Sequence, residues 1–280
     1  HERYEDLLRY NSFRRARRVR EELGHGFVFA VHGKNPCHTF DIFNPAQQAK
    51  WRKEHGNTIL DFGAGHLTET NILNAAGFDC TPFEPYHIGV SEIDKGKSLG
   101  ISKKFLEVVA SGKEFTSVFI SSVLNSVPFA KDREHIVCIC AALCRPFTKL
   151  YACASSTSET GYRQVNGKAF HNESNAGNIA FRLEYESGIR IGDFQDKPKV
   201  QKYHTKKEFY DLFYQFFRDV KISEMSGNVC AKCENVRRIP WERIEEALRF
   251  EFDLPSPDCS RMGLVEEAIT AFKRRYEIFG

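Results

Sequence analysis

The chain has 280 residues, a formal net charge of +3 at pH 7 and 41% hydrophobic residues. This length and composition suit one folded α/β core with additions, and they exclude an intrinsically disordered chain. The small net charge does not by itself require a polyanionic partner. No apolar run approaches the roughly 20 residues that a membrane helix needs, and no secretory leader is visible, so we expect a cytoplasmic protein.

The first 57 residues begin with a basic stretch that we expect to form a helical arm. Helical spacing places Arg14, Arg17 and Arg18 on one face. Arginines bind phosphate groups bidentately, so this face is a candidate binding site for the backbone of DNA or RNA. The alternative is a solvated helix whose arginines pair with neighbouring acidic residues, namely Glu2, Glu5, Asp6, Glu21 and Glu22.

The most informative stretch is TILDFGAGHLTET, residues 58–70. A strand-like run leads into Asp61, and Gly63 and Gly65 then allow a tight turn before a helix. A second strand-like run, FDCTPFEPY, reaches Glu84 23 residues after Asp61. Strand, glycine turn, helix, strand and acid together predict a nucleotide-binding βαβ unit.

The residues of this turn bear on the class of cofactor. A dinucleotide site uses G-x-G-x-x-G and places the pyrophosphate at the helix N-terminus. Here Thr68 stands at the third glycine position, and Asp61 would repel a pyrophosphate but suits an ammonium group. The pattern D-x-G-x-G resembles the first motif of the class I S-adenosylmethionine-dependent methyltransferases. The alternative is a glycine-rich turn in another doubly wound protein.

This resemblance implies S-adenosylmethionine as the cofactor and suggests a role for each residue. Asp61 would help to hold the amino group of the methionine part, the glycines would let the backbone approach, and Glu84 would receive both ribose hydroxyls. The segment that precedes the motif is expected to cover the cofactor from above. The cofactor-binding residues expected in this way are Asp61, Gly63, Ala64, Gly65, Glu84, Pro85, Ser121 and Ser122.

The middle of the chain keeps to the order of elements in that family. Residues 115–121 predict a buried strand, and polar Ser121, Ser122 and Asn125 follow where it would open onto the ligand crevice. A helix is expected over 133–144 and a strand over 149–154. The stretch VLNSVP resembles uncharacterised or DNA-modification-associated methyltransferases of bacteria and phages. Between Glu84 and Glu114 we identify only a helix over 102–110, so no adenine contact is assigned.

Residues 155–203 form a long connection that we interpret as an insertion. It contains Tyr162, Arg163 and His171, and a small hairpin is expected between 181–185 and 188–191. One interpretation is a substrate-recognition element over the crevice, in which Arg163 contacts the substrate. The other is a surface elaboration without a ligand.

The end of the core predicts a capped helix and a hairpin. Thr205 with Glu208 forms a capping box, and apolar residues recur behind it at helical spacing. Strands are expected over 219–225 and 228–234, separated by a Ser226-Gly227 turn. A terminal antiparallel hairpin is usual in the resembled family. The predicted fold is therefore a Rossmann-like, doubly wound α/β fold with a seven-stranded sheet.

The nine cysteines do not predict a disulfide framework or a metal site. Cys230 and Cys233 form a C-x-x-C, but on a strand residues three apart point to opposite faces and cannot share one ion. We expect Cys138, Cys140 and Cys144 to be small core residues in an apolar helix. No metal ligand is therefore assigned.

No diagnostic catalytic nucleophile is visible. By resemblance to known families, methylation of an exocyclic base amine goes with a D/N-P-P-Y/F site at the end of the fourth strand. At that place this chain has SSVLNS instead. Methyl transfer to an already nucleophilic atom needs mainly in-line positioning and at most a general base. Asn125, Tyr162 and His171 are the candidate catalytic residues. His66 is expected to cap the helix or to touch the cofactor.

The predicted organisation has three parts: a basic arm and covering segment over 1–57, a methyltransferase core over 58–236 with its insertion at about 155–203, and C-terminal helices over 237–280. One of these helices is expected to start at Pro240 and the last to span 262–279. The predicted activity is methyl transfer to nucleic acid or a nucleotide-like molecule. The alternatives are a small-molecule methyltransferase and a non-catalytic protein that binds both the cofactor and nucleic acid.

Overall fold

The computed structural model describes residues 45–87, 89, 93–127, 129–158, 178–179, 188–192, 199–225, 227–254 and 260–279. These residues contain seven helices, which are α1 (Pro45–His55), α2 (Thr68–Ala75), α3 (Lys95–Ala110), α4 (Ala130–Ala142), α5 (Lys206–Tyr214), α6 (Trp241–Glu251) and α7 (Val265–Phe279). The strands are β1 (Thr58–Phe62), β2 (Asp79–Phe83), β3 (Phe115–Ser121), β4 (Cys144–Ser155), β5 (Asn178–Ile179), β6 (Ile189–Gly192), β7 (Lys199–Lys202), β8 (Phe217–Met225) and β9 (Asn228–Val236).

The main sheet has the strand order β2-β1-β3-β4-β9-β8. Strands β2, β1, β3 and β4 are parallel, whereas β9 runs antiparallel to both β4 and β8. The chain therefore steps from β1 to β2 on one side and then crosses back to β3 on the other. This reversal makes the carboxyl ends of β1 and β3 a topological switch point, the place where ligands bind in open α/β sheets.

The expectation of seven strands is wrong for the part of the chain that the structure describes, where the main sheet has six. The missing strand is the one between β2 and β3. Helix α3 occupies most of that region, and only residues 111–114 separate its end from β3. The described residues between β2 and β3 contribute no strand to the main sheet, and β2 forms the edge of the described sheet.

Two predicted boundaries around the fourth strand are also wrong. The helix expected over 133–144 is α4, which begins at Ala130 and ends at Ala142, and the strand expected to start at Lys149 starts at Cys144. Cys144 pairs with Phe115, but the next pair is Lys149 with Ser117, so the extra β4 residues form an irregularity. Because this irregularity interrupts the apolar pattern, only the regular part was recognisable in the sequence.

Elements at the end of the core begin and end near their predicted positions. The capping box of Thr205 and Glu208 is confirmed, and the strands expected over 219–225 and 228–234 are β8 and β9, which extend to Phe217 and Val236. The last helix begins at Val265 rather than Met262, because the backbone N–H groups of Met262 and Leu264 bond to carbonyls at the end of α6.

The insertion contributes a small antiparallel sheet with the order β5-β6-β7. A hairpin between 181–185 and 188–191 was expected there. In the described residues, β6 (Ile189–Gly192) pairs instead with β5 on one side and with β7 on the other. Residues 181–185 of the predicted hairpin lie outside the described part. The three-part division of the chain stays a prediction.

Two clusters of buried side chains pack the helices against the two faces of the main sheet. The larger one packs side chains from α3, α4, α5, α6 and α7 on one face. The smaller one lies on the other face under α1 and α2, where the indole of Trp51 stacks on Phe119 with ring centroids 5.7 Å apart. Among the described residues, no helix combines the length and the apolar sequence needed to cross a bilayer.

Candidate functional site

The glycine turn after β1 is attached to the end of β2. Gly63 and Gly65 have φ angles of 84° and 57°, which a residue without a β-carbon adopts without strain. The N–H groups of Gly63 and Ala64 donate to the carbonyl of Phe83 over 2.8 and 3.0 Å. The turn is therefore held against the neighbouring strand at the switch point.

Glu84 lies directly after β2 and is fully buried. Its Oε1 accepts a hydrogen bond from the N–H of Gly65 at 2.9 Å, and its Oε2 accepts one from the N–H of Tyr86 at 3.3 Å. A carboxylate bonded to backbone N–H groups is held in one orientation. The acid predicted at the end of β2 is thus placed beside the glycine turn of β1.

Asp61 is buried in the last part of β1, between β2 and β3. The Thr70 hydroxyl donates to its Oδ2 at 2.8 Å, from the first turn of α2. The strand, the turn and the helix after it therefore place Asp61 and Glu84, the two acids predicted from the sequence, at the carboxyl ends of adjacent strands.

A third acidic side chain, Glu69, was not predicted. It lies in the first turn of α2, only 1% of its surface is exposed, and its Oε1 has no hydrogen-bond partner. Burial, together with like-charge repulsion from the neighbouring Asp61, raises the pKa of Glu69 to about 9. Glu69 is therefore neutral at pH 7, in a position where a cation would favour its ionised form. In the sequence, only the position of Glu69 directly before Thr70, at the start of the predicted helix, could have indicated that it belongs to the site.

Two histidines flank the turn. His87 Nδ1 lies 3.0 Å from the carbonyl of Gly65, and the centroids of the His66 and His87 rings are 6.3 Å apart. Burial lowers the pKa of His66, with a further lowering from His87. The N-cap position of α2 belongs to Leu67, which has a φ of 65°, so the expected capping role does not fall on His66.

The polar residues after β3 reach the same edge of the sheet. Ser121 ends β3 and is buried, while Ser122 has a φ of 55° and donates its N–H to the carbonyl of Cys153 at 2.9 Å. Asn125 is buried in a short 3-10 turn, Leu124–Ser126. Because β3 is the neighbour of β1, these residues lie on the far side of the switch point from Glu84.

A cavity of about 370 Å³ is lined by Pro85 and Tyr86, which follow Glu84 in the chain. The first turns of α3 and the segment after α6 line it on the other side. The predicted position Pro85 therefore lies in the wall of a cavity, whereas Glu84 itself is not part of that wall.

The remaining predicted site residues lie outside the described part of the chain. These are the candidate catalytic Tyr162 and His171 and the candidate substrate-binding Arg14, Arg17, Arg18 and Arg163. Their roles stay predictions. The described cysteines, including Cys230 and Cys233 of the C-x-x-C, are buried free thiols. Among the described residues, no group of three or more potential ligands could hold a metal ion.

No protein-family model and no curated protein matches the chain. It is similar to a solved S-adenosylmethionine-dependent methyltransferase from Methanosarcina mazei, at 16% identity and a TM-score of 0.40 over 64% of this chain and 92% of that one. A second, from Clostridium acetobutylicum, gives 6% identity and a TM-score of 0.44 over 78% and 99%. Human N-acetylserotonin methyltransferase, in complex with S-adenosylmethionine, is similar at 13% identity and a TM-score of 0.44, over 83% of this chain and 58% of that one. Because these TM-scores lie below 0.5, the functional conclusion rests on the geometry of the site.

Proposed function

We propose that this chain is a class I S-adenosylmethionine-dependent methyltransferase. The observation that carries the proposal is the set of buried acidic side chains around the glycine turn. Glu84 is bound to the N–H of Gly65, Asp61 to the hydroxyl of Thr70, and Glu69 lies beside Asp61. This set fits a ligand that carries positive charge and a sugar.

The charge of the site favours this cofactor over a dinucleotide. Two unit charges 4 Å apart interact by about 4 kcal/mol at an effective dielectric constant of 20. Asp61 would repel a pyrophosphate by an energy of this size, whereas it would attract the ammonium and sulfonium groups of S-adenosylmethionine. Glu84 alone does not discriminate, since a carboxylate can accept ribose hydroxyls in both classes of site.

The order of the strands supports the same proposal. In the resembled family, a parallel sheet is closed by a hairpin whose last strand is antiparallel. Here β9 is antiparallel to β4 on one side and to β8 on the other. The sheet is thus doubly wound around β1, and among the described strands of this sheet only β9 is reversed.

Each residue then has a proposed role. Asp61 orients the amino group of the cofactor, the backbone of Gly63, Ala64 and Gly65 lies against it, and Glu84 accepts its ribose hydroxyls. Pro85 contacts the part that extends into the neighbouring cavity, and Ser121 and Ser122 close the site from β3. The cofactor supplies an activated methyl group. Asn125 would position the acceptor for in-line transfer, with Tyr162 and His171 as further candidates.

We further propose that the acceptor is nucleic acid or a nucleotide-like molecule, as in DNA-modification-associated methyltransferases of bacteria and phages. The support is the cluster of arginines in residues 9–20, with the face of Arg14, Arg17 and Arg18. The two alternatives stay open: a small-molecule acceptor, and a non-catalytic protein that binds both cofactor and nucleic acid.

The cofactor is tested by calorimetric titration of S-adenosylmethionine, S-adenosylhomocysteine and NAD into the protein. We expect binding of the first two and none of NAD. Replacing Glu84 by glutamine keeps an acceptor for Gly65 but removes the charge, so the affinity for S-adenosylmethionine should fall by roughly 10- to 100-fold, which corresponds to about 1.4–2.7 kcal/mol. Glu107→Gln, on an exposed face of α3, is the matched control and should bind normally. Binding of NAD alone would refute the proposal.

The acceptor is tested by the salt dependence of binding to DNA and RNA. Contacts with several phosphates make the logarithm of the affinity fall linearly with that of the salt concentration, by about 0.9 per phosphate for duplex DNA. We expect a clear slope that becomes shallower when Arg14, Arg17 and Arg18 are replaced by glutamine. A slope near zero in the unmodified protein would instead favour a small-molecule acceptor.

A further inference from the structure

A second cavity, of about 330 Å³, lies at the amino edge of the main sheet, where the parallel strands begin. Cys144 at the start of β4 and Val236 at the end of the antiparallel β9 line it, together with side chains of α6 and α7. The glycine turn and Glu84 lie at the opposite edge, after the ends of β1 and β2. The cavity is therefore distinct from the proposed cofactor site.

The floor of this cavity is apolar. Ile239, Ile244 and Phe272 line it and are only 7%, 3% and 2% exposed. Tyr276 and Phe279, from the last turn of α7, are half-buried and extend the apolar surface outward. The volume lies at the lower end of the range of roughly 300–1,000 Å³ that small-molecule pockets occupy. Such a floor favours a ligand with an apolar body, because binding removes apolar surface from water.

The charged residues of the lining are all cationic. They are Arg145, Arg237, Arg238 and Arg275. Among the described residues, no aspartate or glutamate lines the cavity. Outside the lining, Glu114 pairs with the Nε of Arg145 at 3.3 Å, but its side chain is 43% exposed and screened by water. In the described part of the chain, one screened carboxylate therefore compensates only one of four guanidinium groups.

Arg275 holds its positive charge inside the protein. It is 3% exposed, and its guanidinium donates to the backbone carbonyls of Lys113 and Leu143. Burial, together with like-charge repulsion from Arg145, lowers the pKa of Arg275 to about 10, so the group stays protonated at pH 7. The carbonyls satisfy its N–H groups but carry no net charge to balance it. This buried charge adds a positive potential to the cavity without touching a ligand.

Arg145 and Arg237 are held by contacts that leave their terminal nitrogens available. The Nε of Arg145 donates to Glu114, and its guanidinium carbon lies 4.0 Å from the ring centroid of Phe279. The Nε of Arg237 donates to two backbone carbonyls, at 3.0 and 3.2 Å. No described residue accepts a hydrogen bond from the Nη groups of either arginine. These oriented donors match the geometry of a carboxylate or phosphate.

Arg238 lies at the open rim of the cavity. It is exposed, and it forms no hydrogen bond or ion pair with a described residue. The next residue, Ile239, belongs to the apolar floor, so the cation and the apolar surface adjoin along the chain. A ligand whose body lies on the floor therefore brings its other end to the rim, beside this guanidinium.

We propose that this cavity binds a small organic anion, with its apolar body on the floor and its carboxylate or phosphate group bound by Arg145, Arg237 and Arg238. The anion offsets the mutual repulsion of the arginines, while its body covers the apolar floor. A neutral hydrocarbon satisfies only the floor, and an inorganic ion satisfies only the arginines. The site does not depend on the proposed methyltransferase activity, because it lies at the other edge of the sheet.

The test is calorimetric titration of the protein with octanoate, octyl phosphate and octanol, below micelle formation, and with acetate and inorganic phosphate. Ionic strength is kept constant with chloride. We expect saturable one-to-one binding of octanoate, octyl phosphate or both, roughly tenfold or more tighter than octanol, acetate or phosphate. Tighter binding of octanoate would identify a carboxylate ligand, and tighter binding of octyl phosphate a phosphate ligand.

A charge variant tests the rim without disturbing the fold. Arg238→Gln removes one guanidinium that has no bond to a described residue, so it should weaken binding of the octyl anions by roughly tenfold at an unchanged melting temperature. Arg218→Gln on β8 is the matched control. Arg218 is also exposed and without such bonds, but it lies outside the cavity lining. This variant should bind the octyl anions as the unmodified protein does.

A volume variant tests the apolar part of the cavity. Ala142, the last residue of α4, is a half-buried lining residue. Ala142→Leu fills part of the cavity and keeps all four arginines, so it should weaken binding of the octyl anions by roughly tenfold. Ala142→Ser, which adds little volume, is the control and should bind nearly as tightly as the unmodified protein.

The proposal is overturned if neither octanoate nor octyl phosphate binds, or if octanol binds as tightly as both. It is also overturned if Arg238→Gln binds as tightly as Arg218→Gln. S-adenosylmethionine should bind Arg238→Gln and the unmodified protein equally, because the glycine turn lies at the opposite edge. Binding of an octyl anion without any binding of S-adenosylmethionine would refute only the methyltransferase proposal.

Discussion

Two regions at the same edge of one sheet differ in the charged side chains that they bury. Over β1 and β2, the buried side chains around the glycine turn are acidic: Asp61, Glu69 and Glu84. Beyond β3 and β4, a cavity between α4 and α5 has Arg133 and Lys202 as its buried charges. The four parallel strands of the main sheet end at this edge; Arg133 follows β3 in the first turn of α4, whereas Lys202 belongs to β7 of the smaller sheet.

The same physical effect acts in opposite directions in these two regions. Burial favours the neutral form of any titratable group, so it raises the pKa of Glu69 and lowers that of His204. In each region the neighbours strengthen the shift, Asp61 in the first and Arg133 with Lys202 in the second. The charged neighbour of Glu69 is acidic, whereas the cations near His204 are Arg133 and Lys202, and Lys202 donates to the carboxylate of Glu208 at 3.1 Å. The crevice thus has two electrostatically distinct halves.

The largest expected effect that tests this comparison is the pH dependence of stability caused by Glu69. Its pKa is about 9 in the folded protein and 4.5 in the reference state, so the folded protein binds the extra proton between these values. This stabilisation is present below pH 4.5 and is lost as the pH rises through 9. For each pH unit in between, the free energy of unfolding falls by about 1.4 kcal/mol. From pH 5 to pH 8 it falls by about 4 kcal/mol.

Glu69→Gln should remove this slope from the free energy of unfolding, measured by urea denaturation at a series of pH values. Histidines with lowered pKa give the opposite slope, since their contribution is lost as the pH falls below 6.5, but it is the same in both proteins and cancels in the difference. Glu107→Gln, on the exposed surface of α3, should follow the unmodified protein. Parallel curves for Glu69→Gln and the unmodified protein would show that Glu69 is ionised, and the acidic half would then differ from our description.

The sequence indicated Asp61, the glycines and Glu84 in the acidic half, but it did not indicate Glu69 or the cavity between α4 and α5. Asp61, the glycines and Glu84 were predicted because their roles follow from local order, a strand that ends in an acid followed by a turn. Glu69 was missed because its burial depends on how α2 packs over β1. The environment of His204 was missed because it depends on Arg133, 71 positions earlier in the chain, and on β4. Local chemistry can be predicted from short patterns, whereas a cavity between two helices cannot.

The fold shows the same limit. The parallel strands and the capping box of α5 were predicted because a buried strand and a helix start have clear local patterns. The start of β4 was missed because the residues between Cys144 and Lys149 depart from regular pairing. The seventh strand was a family expectation with no supporting pattern in residues 84–114, where the described residues form α3 and add no strand to the main sheet.

The smallest expected effect is a change in stability caused by backbone strain. This strain lies beside the acidic half. Three described residues other than glycine have positive φ angles, and two of them, Leu67 at 65° and Ser122 at 55°, flank the acidic half. A left-handed conformation costs a residue with a β-carbon about 1–2 kcal/mol. Leu67→Gly relieves this strain but adds freedom to the unfolded chain worth about 0.5–1 kcal/mol, so the net stabilisation should be at most about 1.5 kcal/mol.

Leu67→Ala is the matched control, because it shortens the side chain and keeps the β-carbon that causes the strain. It should be no more stable than the unmodified protein in urea denaturation, while Leu67→Gly should be more stable than Leu67→Ala. Equal stability of the two variants would mean that the strain does not exceed the cost of the added freedom, about 0.5–1 kcal/mol. A more stable Leu67→Gly with weaker cofactor binding would mean that Leu67 holds the glycine turn in the conformation that orients Gly65 toward Glu84. Strain beside a site persists when the surrounding contacts fix the backbone, and here the bonds from Gly63, Ala64 and Gly65 to Phe83 and Glu84 are those contacts.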